Sequence, residues 1–344
     1  MQYYTRTAPF SLSAPEINGH EHSESRFVSE TPILSLMNLL ISTNRKYLDK
    51  TETMIYSLSR FASEHLFVWC LYSELSREQM ARFSRHLSGR CNVSRVEFID
   101  MGWINQSENL FPLRTPYLSR DSYSRLFAQF YLPVDLDRIL WLDSDIIVKG
   151  SLQDLYSAPL DNIPLIAFTN MGEPGDNDIN LGRLKLSLSV PYFNAGVLLL
   201  NLEYLRTNTS LSSILALCKN NASMLRFEDQ DVMNLLYHNR ALVLNDQRFN
   251  CMVNAPKVFS SPDITQKAVV IHYAGREKPW RFLWHNEFSR YWWDARREEG
   301  MRPGDRGAFL LGWLWFKLDG NRWKRPLLRP YLWLMDHWAR WAKK

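Results

Sequence analysis

Short apolar runs alternate with amphipathic stretches along most of this chain. A short apolar run bounded by polar residues predicts a buried β-strand, whereas apolar residues three and four positions apart predict a helix. Strand-like runs occupy Ile33–Thr43, Leu66–Tyr72, Val93–Ile99, Arg138–Val148, Leu165–Thr169, Asn194–Asn201 and Ala268–His272. Helical patterns occupy Leu48–Ser63, Arg77–Leu87 and Asp229–Tyr237. This alternation predicts stacked βαβ units, and therefore an α/β fold with a mostly parallel sheet.

The two ends of the chain differ from this central pattern. Residues 1–31 are polar and without periodicity, which predicts a flexible N-terminal extension. Residues 32–285 carry the alternating pattern and are predicted to form one large domain. Residues 286–344 form a third segment, with a break predicted at Pro303-Gly304-Asp305. A chain of 344 residues is long enough for such a domain with an appendage.

Charge and tryptophan are concentrated in the C-terminal segment. Residues 301–344 carry ten Lys and Arg against three acidic residues, and ten of the thirteen Trp lie between Trp280 and Trp341. From Pro330 onward, apolar residues recur at helical spacing. A basic, Trp-rich helix is typical of attachment to an anionic membrane surface. The alternative is a C-terminal helix packed on the main domain, and a nucleic-acid partner is disfavoured because no recognition motif accompanies the charge.

Cellular location is predicted from what the sequence lacks. Residues 1–30 contain no continuous apolar core of a signal peptide, and no run of 18 apolar residues occurs. The four cysteines are widely spaced and form no Cys-x-x-Cys pair, so that buried free thiols are expected. We therefore expect a cytoplasmic protein held peripherally at the inner face of the plasma membrane.

The strongest chemical signal is the pair Asp143 and Asp145, which follows the apolar run Ile139–Leu142. In extended backbone, residues two apart point to the same side, so that both carboxylates can converge on one hard cation while Ser144 faces away. Such a cation would bridge the phosphates of a nucleotide-activated donor. The alternative is a turn at the strand end whose Asp residues cap a helix.

Three further strings contain groups suited to the same site. Asn194-Ala195-Gly196 combines an amide with two small residues that allow a ligand to approach the backbone, although taken alone the string is better explained as a buried strand after a turn. Glu228-Asp229-Gln230-Asp231 places carboxylates and an amide at the start of a helix, although ordinary capping explains them equally well. His272-x-x-Gly275-x-x-Lys278 adds a third metal ligand, a flexible glycine and a cation after an apolar strand.

In this order and at these spacings, the strings resemble glycosyltransferase family 8, the retaining transferases that include bacterial lipopolysaccharide galactosyl- and glucosyltransferases. The resemblance covers roughly residues 38–285. It implies a GT-A type, Rossmann-like catalytic domain, a UDP-hexose donor, and a saccharide or glycolipid acceptor. It also implies a Mn²⁺ cofactor, for which Mg²⁺ is a possible substitute.

The resemblance also implies roles for individual residues. By motif match, Asp143, Asp145 and His272 would hold the metal, while Gly275 and Lys278 would contact the diphosphate.

Other matching positions would face the donor sugar. Asn194, Asp229 and Gln230 would line the sugar and the reacting carbon. Arg125, in a string similar to the family's Tyr-x-Arg-Leu helix, would face the nucleotide and sugar. Asn170 lies near a family position that touches the sugar.

One position departs from the family pattern. Family members carry Asp-x-Asn-Tyr after the first strand, and its Asp contacts the uridine. Here the matching residues are Asn44, Arg45, Lys46 and Tyr47. Asn44 keeps a carbonyl acceptor but lacks the charge, which affects nucleotide preference more than reaction class. Asn44, Tyr47 and Ser144 are predicted to belong to the nucleotide-binding set.

The residue types suit retaining transfer. A metal held by two carboxylates and a His, with Lys278 beside it, would stabilise the leaving diphosphate. The resemblance places Gln230 beneath the anomeric carbon, and an amide is a poor nucleophile, which favours front-face substitution over double displacement. Two alternatives are a degenerate transferase that only binds a glycolipid or partner, and a phosphatase of the haloacid dehalogenase type, which also uses Asp-x-Asp.

Overall fold

A computed structural model describes residues 36–113, 119–172, 175–253, 255, 263–281 and 288–319. The predicted N-terminal extension and the helix expected from Pro330 lie outside these residues. The start predicted for the first strand at Ile33 also lies outside them.

A seven-stranded sheet forms the centre of the molecule, in the order β3-β2-β1-β4-β7-β6-β8. The pairs β3–β2, β2–β1, β1–β4 and β6–β8 are parallel, which confirms the predicted mostly parallel sheet. The strands are β1 (Leu36–Asn44), β2 (His65–Ser73), β3 (Val93–Asp100), β4 (Arg138–Leu142), β6 (Leu165–Thr169), β7 (Phe193–Asn201) and β8 (Leu242–Leu244).

Strand β7 runs against its neighbours, pairing antiparallel with both β4 and β6. The first residues of β7 therefore lie beside the last residues of β4, with Val197 opposite Leu142. As a result, Asn194 and Gly196 at the beginning of β7 meet the carboxylates that follow the end of β4. A purely parallel arrangement would place these groups at opposite edges of the sheet.

A second, three-stranded sheet lies beside the first, in the order β5-β10-β9. Its strands are β5 (Ile146–Val148), β9 (Cys251–Met252) and β10 (Val270–His272). The run predicted over Arg138–Val148 is thus two strands, β4 in the large sheet and β5 in the small one, joined by the turn Asp143–Asp145. The predicted strand Ala268–His272 belongs to the small sheet.

Helices cover both faces of the large sheet. Successive residues of β1 point to opposite faces, so that Leu39 packs in one apolar core with α1 and α2, while Leu40 packs in a second core beneath the 3₁₀ helix. The helices are α1 (Leu48–Ser59), α2 (Arg77–Arg90), α3 (Gly102–Gln106), the 3₁₀ helix (Arg120–Phe127), α4 (Ala128–Tyr131), α5 (Gln153–Tyr156), α6 (Asp176–Leu184), α7 (Leu202–Asn208), α8 (Leu211–Asn221), α9 (Glu228–Tyr237), α10 (Asp263–Lys267), α11 (Ser289–Gly300) and α12 (Pro303–Asp319).

Helix α11 packs against the small sheet. Trp292 and Trp293 are buried in an apolar cluster with residues of the small sheet. Helix α12 begins at Pro303, where the sequence predicted a break, and Phe309 contacts Trp293. Within the described part of the chain, no helix combines the length and apolar character needed to cross a bilayer.

A buried network of charges ties α11 to α1 and α2. Arg296 donates to Glu299 at 2.8 Å and to Asp305 at 2.8 Å. Glu299 also accepts from Thr53 of α1 at 2.6 Å and bonds His86 of α2 at 2.8 Å. Because guanidinium groups supply the counter-charge for these carboxylates, the cluster is a structural ion network and not a cation site.

Candidate active site

A cleft of about 460 Å³ opens beyond the carboxyl ends of β1 and β4 and the start of β7. Such edges are where ligands bind in open α/β sheets. Every site residue predicted from the sequence lines this cleft: Asn44, Tyr47, Arg125, Asp143, Ser144, Asp145, Asn194, Asp229, Gln230, His272, Gly275 and Lys278. The structure therefore brings the four sequence strings together at one place.

Two carboxylates and an imidazole converge at the centre of the cleft. His272 Nε2 lies 3.4 Å from Asp145 Oδ1 and 3.9 Å from Asp143 Oδ2. The convergence arises from the turn between β4 and β5 and not from the extended backbone assumed from the sequence. Because β5 pairs with β10, with Ile146 opposite His272, the turn that carries the carboxylates is held beside the imidazole.

The three side chains have the right chemistry for a divalent ion. One ligand atom from each of Asp143, Asp145 and His272 lies within 4.8 Å of the others. Two carboxylates and one imidazole suit Mn²⁺ or Mg²⁺ better than Ca²⁺, whose sites are normally all oxygen. The donor set therefore fits the metal that the sequence predicted.

Gly196 is required for the position of His272. A Cβ at residue 196 would lie 2.3 Å from His272 Cε1, closer than any real contact. The sequence analysis interpreted the small residues of Asn194-Ala195-Gly196 as room for a ligand, and the structure changes this interpretation at Gly196. At Gly196 the space accommodates the ring of a predicted metal ligand.

Lys278 is buried beside Asp145, and its ammonium donates to that carboxylate and to the Tyr273 carbonyl. Burial is the largest single influence on Lys278 and would lower its pKa, but the charge and hydrogen bond of Asp145, together with Tyr47 and Asp143, raise the pKa overall. Burial would likewise raise the pKa of Asp145, but Lys278 and then His272 hold it below its usual value. Both groups are therefore charged at neutral pH. Gly275 adopts φ +85° with open space at its Cβ position, so that its backbone is accessible from the cleft.

Arg125 joins the turn that carries Asp143 and Asp145 to the start of α9. Its guanidinium donates to Asp143 Oδ1 at 2.9 Å, pairs with Asp229 Oδ2 at 2.8 Å, and lies 4.3 Å from the ring centroid of Trp141. Burial raises the pKa of Asp229, and the charge of Arg125 opposes that rise. A residue predicted to face the ligand thus also fixes two acidic groups of the site.

Gln230 lies at the other side of the cleft, with its amide held at both ends. Its carbonyl oxygen accepts from Asn194 Nδ2 at 2.9 Å and from the Ala195 N–H at 3.2 Å, and its amide nitrogen donates to the Tyr192 hydroxyl at 3.1 Å. The negative end of the amide dipole is therefore fixed before any ligand arrives.

The nucleotide-binding prediction for Asn44 has to be modified. Its carbonyl oxygen, expected to meet the ligand, accepts from the backbone N–H groups of Lys46 and Tyr47 at 2.9 and 3.2 Å. Its amide nitrogen donates to Asp121 at 2.6 Å. Ser144 likewise bonds within the protein, to Thr51 Oγ1 at 2.8 Å and the Ser42 carbonyl at 3.0 Å.

Asp121 is a site residue that the sequence analysis missed. Its carboxylate lines the cleft and accepts from Asn44, Ser73, Asn105 and Ser119, which lie on separate segments of the chain. A carboxylate therefore stands next to Asn44, where family members carry their own. Its position two residues before Tyr123 in the Tyr-x-Arg-Leu string was the available signal.

Comparison with known proteins identifies relatives for most of the chain. The model of glycosyl transferase family 8 matches residues 38–283. Glycosyltransferase GlyB of Streptococcus pneumoniae is 28% identical over 272 residues, which cover 76% of this chain and 61% of that protein. A lipopolysaccharide 1,2-glucosyltransferase of Escherichia coli is 30% identical over 173 residues, covering 48% of this chain and 51% of the relative. The aligned region is thus between half and two thirds of each relative's length.

Solved structures share the same fold. The galactosyltransferase LgtC, solved in complex with donor and acceptor sugar analogs, superposes with a TM-score of 0.67 at 23% identity, covering 79% of this chain and all of that one. The glycosyltransferase GlyE of S. pneumoniae gives a TM-score of 0.56 at 21% identity, with 83% of this chain and 64% of that chain covered. The expected GT-A type fold is confirmed.

Proposed function

The chain belongs to glycosyltransferase family 8, and from this premise we propose that it transfers a hexose, galactose or glucose, from a UDP-sugar to a saccharide or glycolipid acceptor with retention at the anomeric carbon. The observation that carries the proposal is the convergence of Asp143, Asp145 and His272 in one cleft with Gln230. Membership of the family removes the phosphatase alternative.

Asp143, Asp145 and His272 would hold a divalent metal, which supplies Lewis-acid stabilisation of the leaving diphosphate when bound. Lys278 adds a fixed positive charge next to the same carboxylates. Gly275 offers a backbone segment that a phosphate group can approach closely. Together these residues would lower the barrier by binding the charge that develops on the leaving group.

Retention is supported by the identity of the groups on the sugar side. Gln230 presents a carbonyl oxygen held by two N–H donors, which suits electrostatic stabilisation of an oxocarbenium-like carbon. The two carboxylates next to Gln230 in sequence are both engaged by guanidinium groups, Asp229 by Arg125 and Asp231 by Arg183. We therefore favour front-face substitution, in which the leaving phosphate accepts the proton of the acceptor hydroxyl, with Asp229 and Asn194 orienting sugar hydroxyls.

A lipid-linked acceptor and an anionic membrane surface complete the proposal. The E. coli relative is a lipopolysaccharide glucosyltransferase, which favours a glycolipid of the cell envelope as acceptor. On α12, Leu310, Trp313 and Leu314 lie at helical spacing and are 55%, 44% and 42% exposed. Residues 320–344, which follow this helix in the sequence, carry seven Lys and Arg, and this combination of apolar and cationic residues is typical of attachment to an anionic membrane surface.

Turnover of nucleotide sugars tests the enzymatic part of the proposal. The full chain is incubated with a panel of UDP-sugars and Mn²⁺, and released UDP is measured with and without a chelator. We expect metal-dependent release with one or two hexoses, loss of activity in Asp145→Ala, and wild-type activity in the surface control Asp246→Ala. Activity that persists in saturating chelator would remove the metal role. UDP binding without turnover, with any sugar or acceptor extract, would favour the degenerate-transferase alternative.

Product stereochemistry tests retention. The anomeric configuration of the product is read from NMR coupling constants and compared with that of the donor. An inverted product would contradict the front-face mechanism.

Co-sedimentation tests the membrane part. Wild type, Leu310→Glu/Leu314→Glu and a chain ending at residue 319 are mixed with anionic and with neutral vesicles. The 319-residue chain keeps Asp305, which Arg296 requires as a partner. We expect wild type to pellet with anionic vesicles only and both variants to pellet less while keeping donor hydrolysis. Equal pelleting of all three proteins would contradict the proposal.

A further inference from the structure

A continuous chain of side-chain amides connects the predicted metal ligand His272 to Gln230. His272 Nδ1 bonds Asn250 Oδ1 at 2.8 Å, and Asn250 Nδ2 donates to Asn194 Oδ1 at 3.0 Å. Asn194 Nδ2 then donates to Gln230 Oε1 at 2.9 Å. Asn250 and His272 are 1% and 2% exposed, so that solvent does not compete for these bonds. Asn250 itself does not line the cleft.

Backbone N–H groups, which can only donate, fix the direction of the hydrogen bonds between these amides. The Gly196 N–H donates to Asn194 Oδ1 at 2.8 Å, and the Ala195 N–H donates to Gln230 Oε1 at 3.2 Å. These contacts identify the oxygen end of each amide. Because Asn194 presents its oxygen to Asn250, Asn250 must present its nitrogen there and its own oxygen to His272.

The far end of the chain is fixed by a carboxylate, which can only accept. Gln230 Nε2 donates to the Tyr192 hydroxyl at 3.1 Å, and that hydroxyl donates to Asp231 Oδ1 at 2.6 Å. Arg183 donates to both oxygens of Asp231 at 2.9 Å. All the donors therefore point the same way, from His272 toward Asp231.

We infer that Asn250 is a positioning residue that holds His272 in the Nδ1-protonated tautomer and thereby keeps the Nε2 lone pair directed at Asp143 and Asp145. An imidazole coordinates a metal only through an unprotonated nitrogen, and a hydrogen bond at the other nitrogen decides which one is free. Through Asn194 the same residue sets the position of Gln230. The inference rests on the proposed metal-dependent transfer, and its first readout is independent of it.

The first test reads the tautomer directly in the metal-free full-length protein. Ring ¹⁵N shifts of His272 are recorded by NMR at alkaline pH in wild type and Asn250→Ala, with His272→Gln used for assignment. We expect Nδ1–H in wild type and a substantial Nε2–H population in the variant, because Nε2 then donates to Asp145 instead. Asn38→Ala is the control for a general loss of stability. It removes another buried amide, which lies near the start of β1 and away from the cleft.

The second test separates the two functions of Asn250. Mn²⁺ affinity is measured by calorimetry in the presence of UDP, and kcat and KM are measured with the preferred donor. We expect Asn250→Ala to lose about 10- to 100-fold in Mn²⁺ affinity. Asn250→Asp still accepts from Nδ1–H and should keep that affinity. The second carboxylate oxygen of this variant faces Asn194 Oδ1 and cannot donate to it, so that the hydrogen bond between residues 250 and 194 is lost. Because Asn194 positions Gln230, we expect kcat to fall while KM changes little.

Three results would overturn the inference. One is an Nε2–H tautomer in wild type, and another is an unchanged tautomer in Asn250→Ala. The third is equal Mn²⁺ affinity for wild type, Asn250→Ala and Asn38→Ala, which would reduce Asn250 to a purely structural residue. If wild type binds no Mn²⁺ at all, the proposed function fails while the tautomer measurement still decides the role of Asn250.

Discussion

At the scale of single residues, the site is built from contacts too close to tolerate small changes. Gly196 shows this because the ring of His272 occupies the space of its missing side chain. Gly196→Ala should push His272 away from the two carboxylates and lower Mn²⁺ affinity at least tenfold. Because φ at Gly196 is not positive, the Ala backbone itself carries no strain.

Calorimetry of Gly196→Ala with Mn²⁺ and UDP checks this expectation. Gly182→Ala is the control, because a Cβ at Gly182 meets nothing within 4 Å. Normal Mn²⁺ affinity in Gly196→Ala would mean that His272 can bind metal from another position.

Lys278 and Asp145 make the stability of the protein depend on pH in a defined direction. Lys278, followed by His272, holds the pKa of Asp145 below its ordinary value against burial, which alone would raise it. A carboxylate with a depressed pKa stabilises the fold above its unfolded pKa of about 3.9 and loses that contribution as pH falls through the folded pKa. Lys278→Met leaves the carboxylate buried without its ammonium partner and with only His272 beside it, at a cost of about 3 kcal/mol near neutral pH.

Urea unfolding between neutral pH and about pH 4 checks this prediction. In Lys278→Met the loss of the Lys278 charge raises the pKa of Asp145 relative to wild type, so that the group takes up a proton at higher pH and the deficit relative to wild type shrinks as the pH falls. Lys278→Arg keeps a charge and should show a smaller deficit. A deficit that stays constant with pH would show that the pair is not responsible.

The sequence identifies the residues that carry charge or chemistry and misses those that hold them. Asp143, Asp145 and Lys278 stand in recognisable strings, whereas Asp121 and Asn250 act through partners far away in the chain. The ligand-facing carbonyl predicted for Asn44 is used by a local turn, because the backbone N–H groups of Lys46 and Tyr47 lie within hydrogen-bonding distance of it. Competition between such partners is decided by the fold.

At the scale of elements, the buried charges of α11 stabilise its packing against α1 and α2. The buried Glu299 accepts from Thr53 and Arg296 and bonds the partly buried His86. Removing one partner of a buried ion pair typically costs about 3–5 kcal/mol. Glu299→Ala should therefore lower the free energy of unfolding by about 3 kcal/mol.

The neighbouring residue provides a matched control. Glu298 pairs with Arg60 at the surface, where it is 46% exposed, and Glu298→Ala should change stability by less than about 1 kcal/mol. Both free energies are measured by urea unfolding. If α11 were a separate appendage, as the predicted boundary at residue 286 implies, Glu299→Ala would leave the main transition unchanged.

Most strands of the large sheet were predictable from local patterns, whereas the pairing of the strands and most of the shorter helices were not. Strands such as Leu165–Thr169 have the bounds that the apolar run indicates. The antiparallel direction of β7 and the departure of β5 into the small sheet depend on long-range hydrogen bonds, which leave no local periodicity. These two features, more than the strand bounds, bring the site residues together.

At the scale of the whole molecule, the reactivity of the four cysteine thiols shows whether the protein is folded. Burial raises the pKa of Cys91 and Cys218 to about 12 and that of Cys251 to about 11, and it also raises the pKa of Cys70. The thiolate is the reactive form. The folded protein should therefore react very slowly with a thiol reagent at about pH 8, and all four thiols should react in concentrated urea. Rapid reaction of two or more thiols in the native protein would contradict the packing described for these residues.

Because β5 pairs with β10, a strand much later in the sequence, the candidate site can form only late in the synthesis of these residues. The last strand of the large sheet ends at Leu244, whereas His272 completes the small one. At about 5–20 residues per second of synthesis, the carboxylate turn leaves the ribosome on the order of ten seconds before its imidazole partner. The large sheet of a nascent chain can therefore form before the three predicted metal ligands are all available to one another.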